Sequence, residues 1–473
     1  MQNIPFLTIP RVDAGYRPKE ERVRDFNPVA REQSEENLRK QALRCMNCGI
    51  PFCHGMGCPL GNVIPEFNRA ATRGEWKKAL DILLETSPFP EFTSVICPAL
   101  CEGSCVNGLD GDAVTIREIE HFIIENGYAN GWVRPVIPMH RLNRSVAVIG
   151  AGPSGLSAAE ALNRKGINVT VYERAQRPGG LMRFGIPDFK LDKKLIDRRI
   201  ALMKEEGIAF ENGIEVGEDV SPEYIFRKHD ALVLTCGSRT PRDLKVKGRE
   251  LSGIHFAVDF LTQQNRLNAG DTFSPDPTMN AKNKRVVVVG GGDTGSDCIG
   301  TAIRQGALSV AQIEIMPKSP MTRAKNNPWP EWPRLFKETS SHKEGCERRW
   351  CINTEEAIGE DGRVKALRCV EVEWKRDANG RMSFAPVAGS EFVLEADLVL
   401  LAMGFTGHAI PKIVSALNLQ TNERGAIVRD ANGKTSADNV YIAGDVATGP
   451  SLVVRAIADG RRVAEALAGR LAQ

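Results

Sequence analysis

A glycine turn that occurs twice, 140 residues apart, leaves this chain few folds to choose from. In the first copy Val146, Val148 and Ile149 read as a short buried parallel strand. Gly150, Gly152 and Gly155 follow as Gly-x-Gly-x-x-Gly, with Ala151 and Pro153 among the intervening positions. Leu156 to Asn163 then reads as a helix. The first glycine makes the tight bend, and the second lets the backbone approach a pyrophosphate. The third lets helix and strand pack closely, so the helix N-terminus faces the phosphates. A second strand, Asn168 to Tyr172, ends in Glu173, 23 residues after Gly150. An acid there suits a ribose with free hydroxyls.

The second copy runs from Arg285 through four valines to Gly290, Gly292 and Gly295, with Asp293 and Thr294 inside the turn. Ser296 to Gln305 is expected as its phosphate-facing helix. One chain with two such turns should hold two dinucleotides, one tightly bound and one exchanged. The next strand is read as Gln312 to Met316. On that alignment Pro317 stands where Glu173 stood, and Lys318, Arg323 and Lys325 follow. Loss of the acid with gain of base suits a 2′-phosphate, hence NADPH over NADH. Glu314, on this reading, lies three residues before the strand-end position and faces the other way.

Between the turns, Gly179 to Pro187, with Gly180 and Leu181, is small enough for backbone to lie flat against a ring system. Ala231 to Gly237 reads as a buried strand, with Cys236 a core residue. Asn268 to Asn283, with Pro275 and Pro277, reads as the connection into the second unit. Asn326 to Pro333 reads as a loop that covers a cofactor, meets a partner or simply lies at the surface. Leu398 to Phe405 mirrors Leu232 to Gly237 and is expected to carry the chain out of the inserted unit. A late strand then ends in Gly444 and Asp445, placed for ribityl hydroxyls. The helix that begins near Ser451 would aim its positive end at a flavin ring.

Of 12 cysteines, seven lie between Cys45 and Cys105: Cys45, Cys48, Cys53, Cys58, Cys97, Cys101 and Cys105. They stand among expected helices at 32–44, 62–71, 75–85 and 115–126. Met1 to about Pro28 reads as an arm, either disordered or partner-binding, and Asn130 to Arg144 as a linker. Such crowding points to metal ligation rather than a disulfide framework. The cysteines alone fit iron–sulfur clusters or zinc. Beside a flavin-type fold the iron–sulfur reading prevails, because redox cofactors are useful in series. Seven thiolates fall one short of two four-ligand clusters, and Glu120 is chosen as the eighth ligand, with Glu118 and His121 competing. The net charge of +3 gives no argument for nucleic acid. No apolar run approaches the ~18 residues of a membrane span, so a cytoplasmic protein is expected.

These stretches, together with Phe89 to Phe92, Gly291 to Gly295 and Asn327 to Pro330, resemble the small (β) subunits of NADPH-dependent glutamate synthase from end to end. The N-terminal part of dihydropyrimidine dehydrogenase has the same layout. The resemblance implies an α/β fold of two Rossmann-like units behind a helical iron–sulfur domain. That domain would span 1–140 and hold two 4Fe–4S clusters. An FAD unit split into 141–281 and 407–473 would flank an NADPH unit at 282–406. The first cluster's sites correspond to Cys45, Cys48, Cys53 and Cys105. Those of the second correspond to Cys58, Cys97, Cys101 and a glutamine whose place Glu120 takes with one residue deleted. Gly150, Gly152, Gly155, Glu173, Gly180 and Asp445 would hold FAD; Gly292, Asp293 and Thr294 the NADPH phosphates; Lys318 and Arg323 the 2′-phosphate. The implied role is to pass hydride from NADPH to FAD, and then electrons through the clusters to FMN on a large (α) subunit, in a hetero-oligomer that makes L-glutamate from 2-oxoglutarate and L-glutamine. A related NADPH oxidoreductase, transhydrogenase or ferredoxin-linked, is the alternative. No side chain is assigned as acid or base, since the cofactors carry the chemistry.

Overall fold

A computed structural model describes residues 4–377, 382–407, 410–423 and 425–472. Among the described residues the arm packs against its own chain. Val29 N–H donates to Phe189 O (2.9 Å), and the buried Arg22 donates through Nε to Glu344 Oε1 (2.7 Å). Helix formers free of Gly and Pro then give α1 (Glu35–Ala42), capped by Ser34, whose hydroxyl accepts from Asn37 N–H. α2 (Ile64–Thr72), α3 (Trp76–Thr86), α4 (Pro90–Ile96) and α5 (Ile116–Ala129) follow. The apolar faces of α1, α2, α3 and α5, among them Phe67, Leu80, Leu83, Ile119 and Ile123, close one core, while Phe92 of α4 joins the core of the nucleotide unit that follows. The seven clustered cysteines stand mainly on the turns between helices.

The rest of the chain is α/β. In order it forms β1 (Ser145–Ile149), α6 (Pro153–Arg164), β2 (Asn168–Glu173), α7 (Lys193–Glu205), β3 (Ala209–Asn212), β4 (Ala231–Leu234), β5 (Thr240–Pro241), β6 (Ile254–Phe256) and α8 (Ala257–Asn268). Then come β7 (Arg285–Val289), α9 (Asp293–Gln305), β8 (Ser309–Glu314), α10 (Ser340–Glu344), β9 (Glu347–Trp350), β10 (Ile352–Glu360), β11 (Arg363–Arg376), β12 (Met382–Pro386) and β13 (Phe392–Glu395). The last elements are β14 (Leu398–Leu401), β15 (Phe405–Gly407), β16 (Val440–Ile442) and α11 (Val453–Leu471).

Two five-stranded parallel sheets result, ordered β16-β4-β1-β2-β3 and β6-β14-β7-β8-β9. The central strands β1, β4, β7 and β14 are buried apolar runs, as sheets covered on both faces require, while the edge strands β3 and β9 are more polar and partly exposed. β14 sits beside β7 as β4 sits beside β1, so Leu398 to Leu401 does mirror Leu232 to Leu234. An antiparallel sheet of β10, β11, β12 and β13 is added to the second unit. The chain crosses between units at β5 and β15, which pair antiparallel.

This pairing corrects one boundary. β6 belongs to the second sheet, against β14, so the chain enters the second unit well before residue 282. A three-residue strand carries no periodic signal, whereas the prolines at 275 and 277 suggested a connection that is only a loop within that unit. The start of the last helix also shifts, from near Ser451 to Val453. α11 crosses α6 at backbone contact. A Cβ on Gly460 would collide with Ser154 O, and Ser157 Oγ donates to Ile457 O (2.9 Å).

Candidate cofactor sites

The two glycine turns are built alike. Gly150 N–H donates to Tyr172 O and Gly290 N–H to Ile313 O, each at 2.8 Å. A Cβ at Gly155 would overlap Gly150 O, and one at Gly295 would press on Gly290 O. Gly152 and Gly292 differ: a Cβ there meets nothing within 4 Å. Each is the N-cap of its helix, and neither helix has a side-chain cap. The first N–H groups of α6 and α9 therefore face open space, as sites for pyrophosphate do.

Gly150, Gly152, Pro153, Glu173, Gly180, Leu181 and Asp445 line one cleft of about 2080 Å³, which also reaches Asp293 and Thr294 in the second unit. That volume is more than twice the ~1,000 Å³ upper range of a small-ligand pocket. Ala151 is buried and donates its N–H to Glu173 Oε2 (2.8 Å); Ala175 N–H donates to Oε1 (2.9 Å). Gly180 (φ 53°) lies so close that a Cβ would be 2.8 Å from Gly152 Cα. At Gly444 a Cβ would stand 2.7 Å from Ser154 Cβ. Asp445 accepts from Ser451 Oγ (2.7 Å), and burial pushes its carboxyl above the usual range. The residues present fit a flavin dinucleotide: a helix N-terminus without a side-chain cap for phosphate, carboxylates at both ends and no side chain filling the turn.

The second turn overturns the strand alignment. Val289 pairs with Ile313 as Ile149 pairs with Tyr172, so the residue equivalent to Glu173 is Glu314, not Pro317. Glu314 lies beneath the turn, where a Cβ on Gly291 would collide with its Oε2. Its Oε1 accepts from Met316 N–H (3.1 Å). The strand begins at Ser309 and ends at Glu314, earlier than Gln312–Met316. The apolar Ile315 and Met316 extended the apparent strand and hid its end. Lys318 stands over the rings of Phe336 (4.5 Å) and Trp350 (5.0 Å). Arg323 is turned elsewhere, donating to the carbonyls of Glu331 (2.7 Å), Asn327 and Gly103.

A brace that the sequence did not reveal supports this turn. Gln312 Nε2 donates to Gly290 O (2.9 Å) while its Oε1 accepts from Arg348 Nε and from His342 Nε2, each at 3.1 Å. His342 Nδ1 accepts from Thr339 N–H (3.1 Å). The ring is thus neutral, and burial, reinforced by Arg348, lowers its pKa to about 4.

The cysteines sort into two cavities. Cys45, Cys48, Cys53 and Cys105 line one; Cys58, Cys97, Cys101 and Glu120 line another. Burial, with neighbouring negative groups adding to it, raises the thiols of Cys45, Cys48, Cys53, Cys58, Cys97 and Cys101, Cys53 to about 12 and Cys58 to about 11. Such groups favour a cationic partner that accepts thiolates. Among the described residues no three such side chains are gathered as the ligands of a single ion; each cavity instead brings together four cysteine or carboxylate side chains, a donor set that fits an iron–sulfur cluster. Glu120 Oε1 accepts from Thr93 Oγ1 (2.5 Å), and burial lifts its carboxyl to about 7. Its competitors point away. Glu118 accepts from Ala14 N–H (2.9 Å) and Gln33 Nε2 (3.0 Å), and His121 meets Ser94 Oγ (3.2 Å). Cys97 lines both the second cavity and the large cleft, while Ile64 and Ile116 line both cysteine cavities. The Asn326–Pro333 loop packs on this domain: the rings of Trp329 and Phe52 lie 4.5 Å apart, and Ser104 Oγ donates to Pro330 O (2.9 Å).

Two parallel-sheet nucleotide units joined to a cysteine-lined helical domain define a flavin-type oxidoreductase coupled to an iron–sulfur domain. Residues 144–460 match the pyridine nucleotide-disulphide oxidoreductase family, and residues 22–132 match dihydropyrimidine dehydrogenase domain II, 4Fe-4S cluster. The chain belongs to the family of glutamate synthase [NADPH] small chains. It is 48% identical to that of Mycobacterium tuberculosis over 95% of this chain and 92% of the relative, and 40% identical to that of Bacillus subtilis over 97% and 96%. It is also 42% identical over 97% of its length to glutamate synthase [NADH] of Saccharomyces cerevisiae, of which it spans 22%. Mycobacterium tuberculosis FprA in complex with NADPH shares the fold (TM-score 0.55, 20% identity, 70% of this chain and 85% of that one). Among the described residues no helix is long and apolar enough to cross a membrane.

Proposed function

We propose that this chain is the electron-input subunit of a cytoplasmic glutamate synthase, working with a large subunit that carries FMN and makes L-glutamate from 2-oxoglutarate and L-glutamine. The observation that carries the reading is the shared wall at Cys97. A flavin in the cleft and a cluster in the second cavity would be neighbours, and the first cavity would continue the line through Ile64 and Ile116. Bound FAD would take hydride from NADPH and give up electrons singly to 4Fe–4S clusters. In this reading the first unit, with Gly150, Ala151, Gly152, Pro153, Gly155, Glu173, Gly180, Leu181, Gly444 and Asp445, holds FAD. Gly290, Gly292, Asp293, Thr294 and Gly295 hold the pyrophosphate of NADPH.

The chain's own contribution is position and field. The uncapped N-termini of α6 and α9 border one cleft and would hold the two pyrophosphates there, which would let the chain bring the two cofactors together. α11 directs its first turn, Val453 and Ala456, into that cleft and stabilises negative charge there. Val454 of the same turn lines the second cysteine cavity. Cys45, Cys48, Cys53 and Cys105 would hold one cluster, and Cys58, Cys97, Cys101 and Glu120 the other.

The test is iron, sulfide and flavin analysis of the anaerobically purified chain, followed by mixing with NADPH. Bleaching of the flavin band, and glutamine-dependent NADPH oxidation once the large subunit is added, are expected. Flavin reduction without glutamine-dependent turnover in the assembled complex would favour another electron acceptor.

A further inference from the structure

We propose that Glu314 reads the adenosine ribose at the second turn, and that this site admits NADH, with its free 2′-hydroxyl, as well as NADPH. The inference rests on reading the second unit as a nicotinamide dinucleotide site. It starts from the repeat within the chain. Glu314 occupies the register position of Glu173, one residue past the pair Val289 and Ile313. Its local bonding also repeats. Glu173 Oε1 accepts from the N–H two residues on, and so does Glu314 Oε1. Its Oε2 lies under Gly291, whose lack of a side chain leaves room for it. A carboxylate held there accepts from ribose hydroxyls, whereas a 2′-phosphate brings a second negative group against it.

Nothing within the next three residues offsets that charge, since Ile315, Met316 and Pro317 carry none. Arg323 is engaged by three backbone carbonyls. Two cations share the rings of Phe336 and Trp350: Arg348, which donates to Gln312 Oε1 and Lys337 O, and Lys318. Trp350 pairs in register with Glu314 across β8 and β9. The ribose end of the site therefore carries a carboxylate for a hydroxyl and a flanking ammonium for a phosphate. Glu314 sets the affinity for the unphosphorylated nucleotide, and Lys318 that for the phosphorylated one.

The experiment uses the FAD-loaded chain and reads binding as well as reduction. ADP-ribose and its 2′-phosphate are titrated by calorimetry into the wild type, Glu314→Ala, Glu314→Gln and Lys318→Ala, and NADH and NADPH are compared as flavin reductants. In the wild type both nucleotides bleach the flavin, and the two dissociation constants lie within about tenfold. Glu314→Ala weakens ADP-ribose about tenfold or more and leaves the 2′-phosphate equal or tighter, the loss of a charge-assisted hydrogen bond. Glu314→Gln, which keeps the shape and the contact with Met316 N–H, shows the same direction with a smaller effect. Lys318→Ala weakens the 2′-phosphate selectively. Bleaching by NADPH with none by NADH, or equal losses for both ligands in a Glu314→Gln protein that melts like wild type, overturns the inference and leaves the proposed function standing. No bleaching by either nucleotide overturns both.

Discussion

Glu91 and Arg199 form an ion pair sealed from solvent between the cysteine-bearing helices and the first nucleotide unit. Arg199 on α7 donates through Nε to Glu91 Oε1 on α4 (2.5 Å), and the two side chains are 4% and 0% exposed. Tyr128 of α5 adds a hydrogen bond to the same oxygen (3.3 Å). The pair fixes the cysteine domain to the unit beneath it, where Cys97 borders the cleft. Removing one partner strands the other charge in the interior. Glu91→Ala is expected to cost about 3–5 kcal/mol, read as a lowered urea midpoint under anaerobic conditions. The double variant Glu91→Leu with Arg199→Met should recover much of that loss. Equal stability of Glu91→Ala and wild type would mean that the pair contributes nothing.

The first glycine turn separates folding from binding. A methyl at Gly155 overlaps Gly150 O, so Gly155→Ala should destabilise the chain by about 1–3 kcal/mol or more. A methyl at Gly152 enters open space at φ −76°, so Gly152→Ala should keep stability within about 0.5 kcal/mol of wild type. It should still lose bound flavin, because the methyl occupies the volume in front of the α6 N-terminus. Flavin-to-protein ratio and melting temperature of both variants decide this. Full flavin content in Gly152→Ala would place the pyrophosphate elsewhere.

Acidification should act through His342. Its folded pKa is lowered to about 4, so between that value and 6.5 the unfolded chain takes up a proton that the native ring refuses. Stability is full above pH 6.5 and falls as pH drops toward 4. At pH 5 the loss is about 1–2 kcal/mol relative to pH 7.5. Urea melts of wild type and His342→Gln at both pH values should show a smaller pH-dependent drop in the variant. An equal drop would assign the effect to other groups.

The two cavities predict a divided metal content. Cys105→Ser should remove one cluster and Cys101→Ser the other, each lowering iron by about half if every cavity holds four irons. The losses should differ in consequence. In the Cys101→Ser protein, reduced flavin should fail to reduce the remaining centre, whereas in Cys105→Ser the nearer centre should still be reduced. Electron paramagnetic resonance after NADPH addition reads this directly. The same loss of signal from both variants would argue for a single shared site.

The glycine turns, the buried strands and the split of the first unit were legible because each is written in local spacing. Gly150 to Glu173 carries its own start, bend and end. Glu120 was legible only as one of three candidate neighbours on a helix; what the fold adds is that its side chain lines the cavity beside Thr93. Glu314 was misplaced because two apolar residues past the end of β8 read as more strand. Arg323 was misread because a guanidinium near a phosphate site and one clamping three carbonyls look alike in sequence. The brace from Gln312 through His342 to Thr339 joins residues up to 30 apart that share no motif. The arm's burial against Glu344 is likewise a contact across more than 300 positions that no local pattern announces.

β16 pairs with β4 through Val440 and Leu232, so the first sheet receives its outer strand only after the whole second unit has been synthesised. During translation β4 has an open edge for about two hundred residues, a span over which an exposed parallel edge invites misassembly. The inserted unit can complete its own five strands, β6 to β14, before that edge is covered. Order of emergence from the ribosome thus favours a finished guest inside an unfinished host, and slowing synthesis after Phe405 should harm assembly more than slowing it before Arg285.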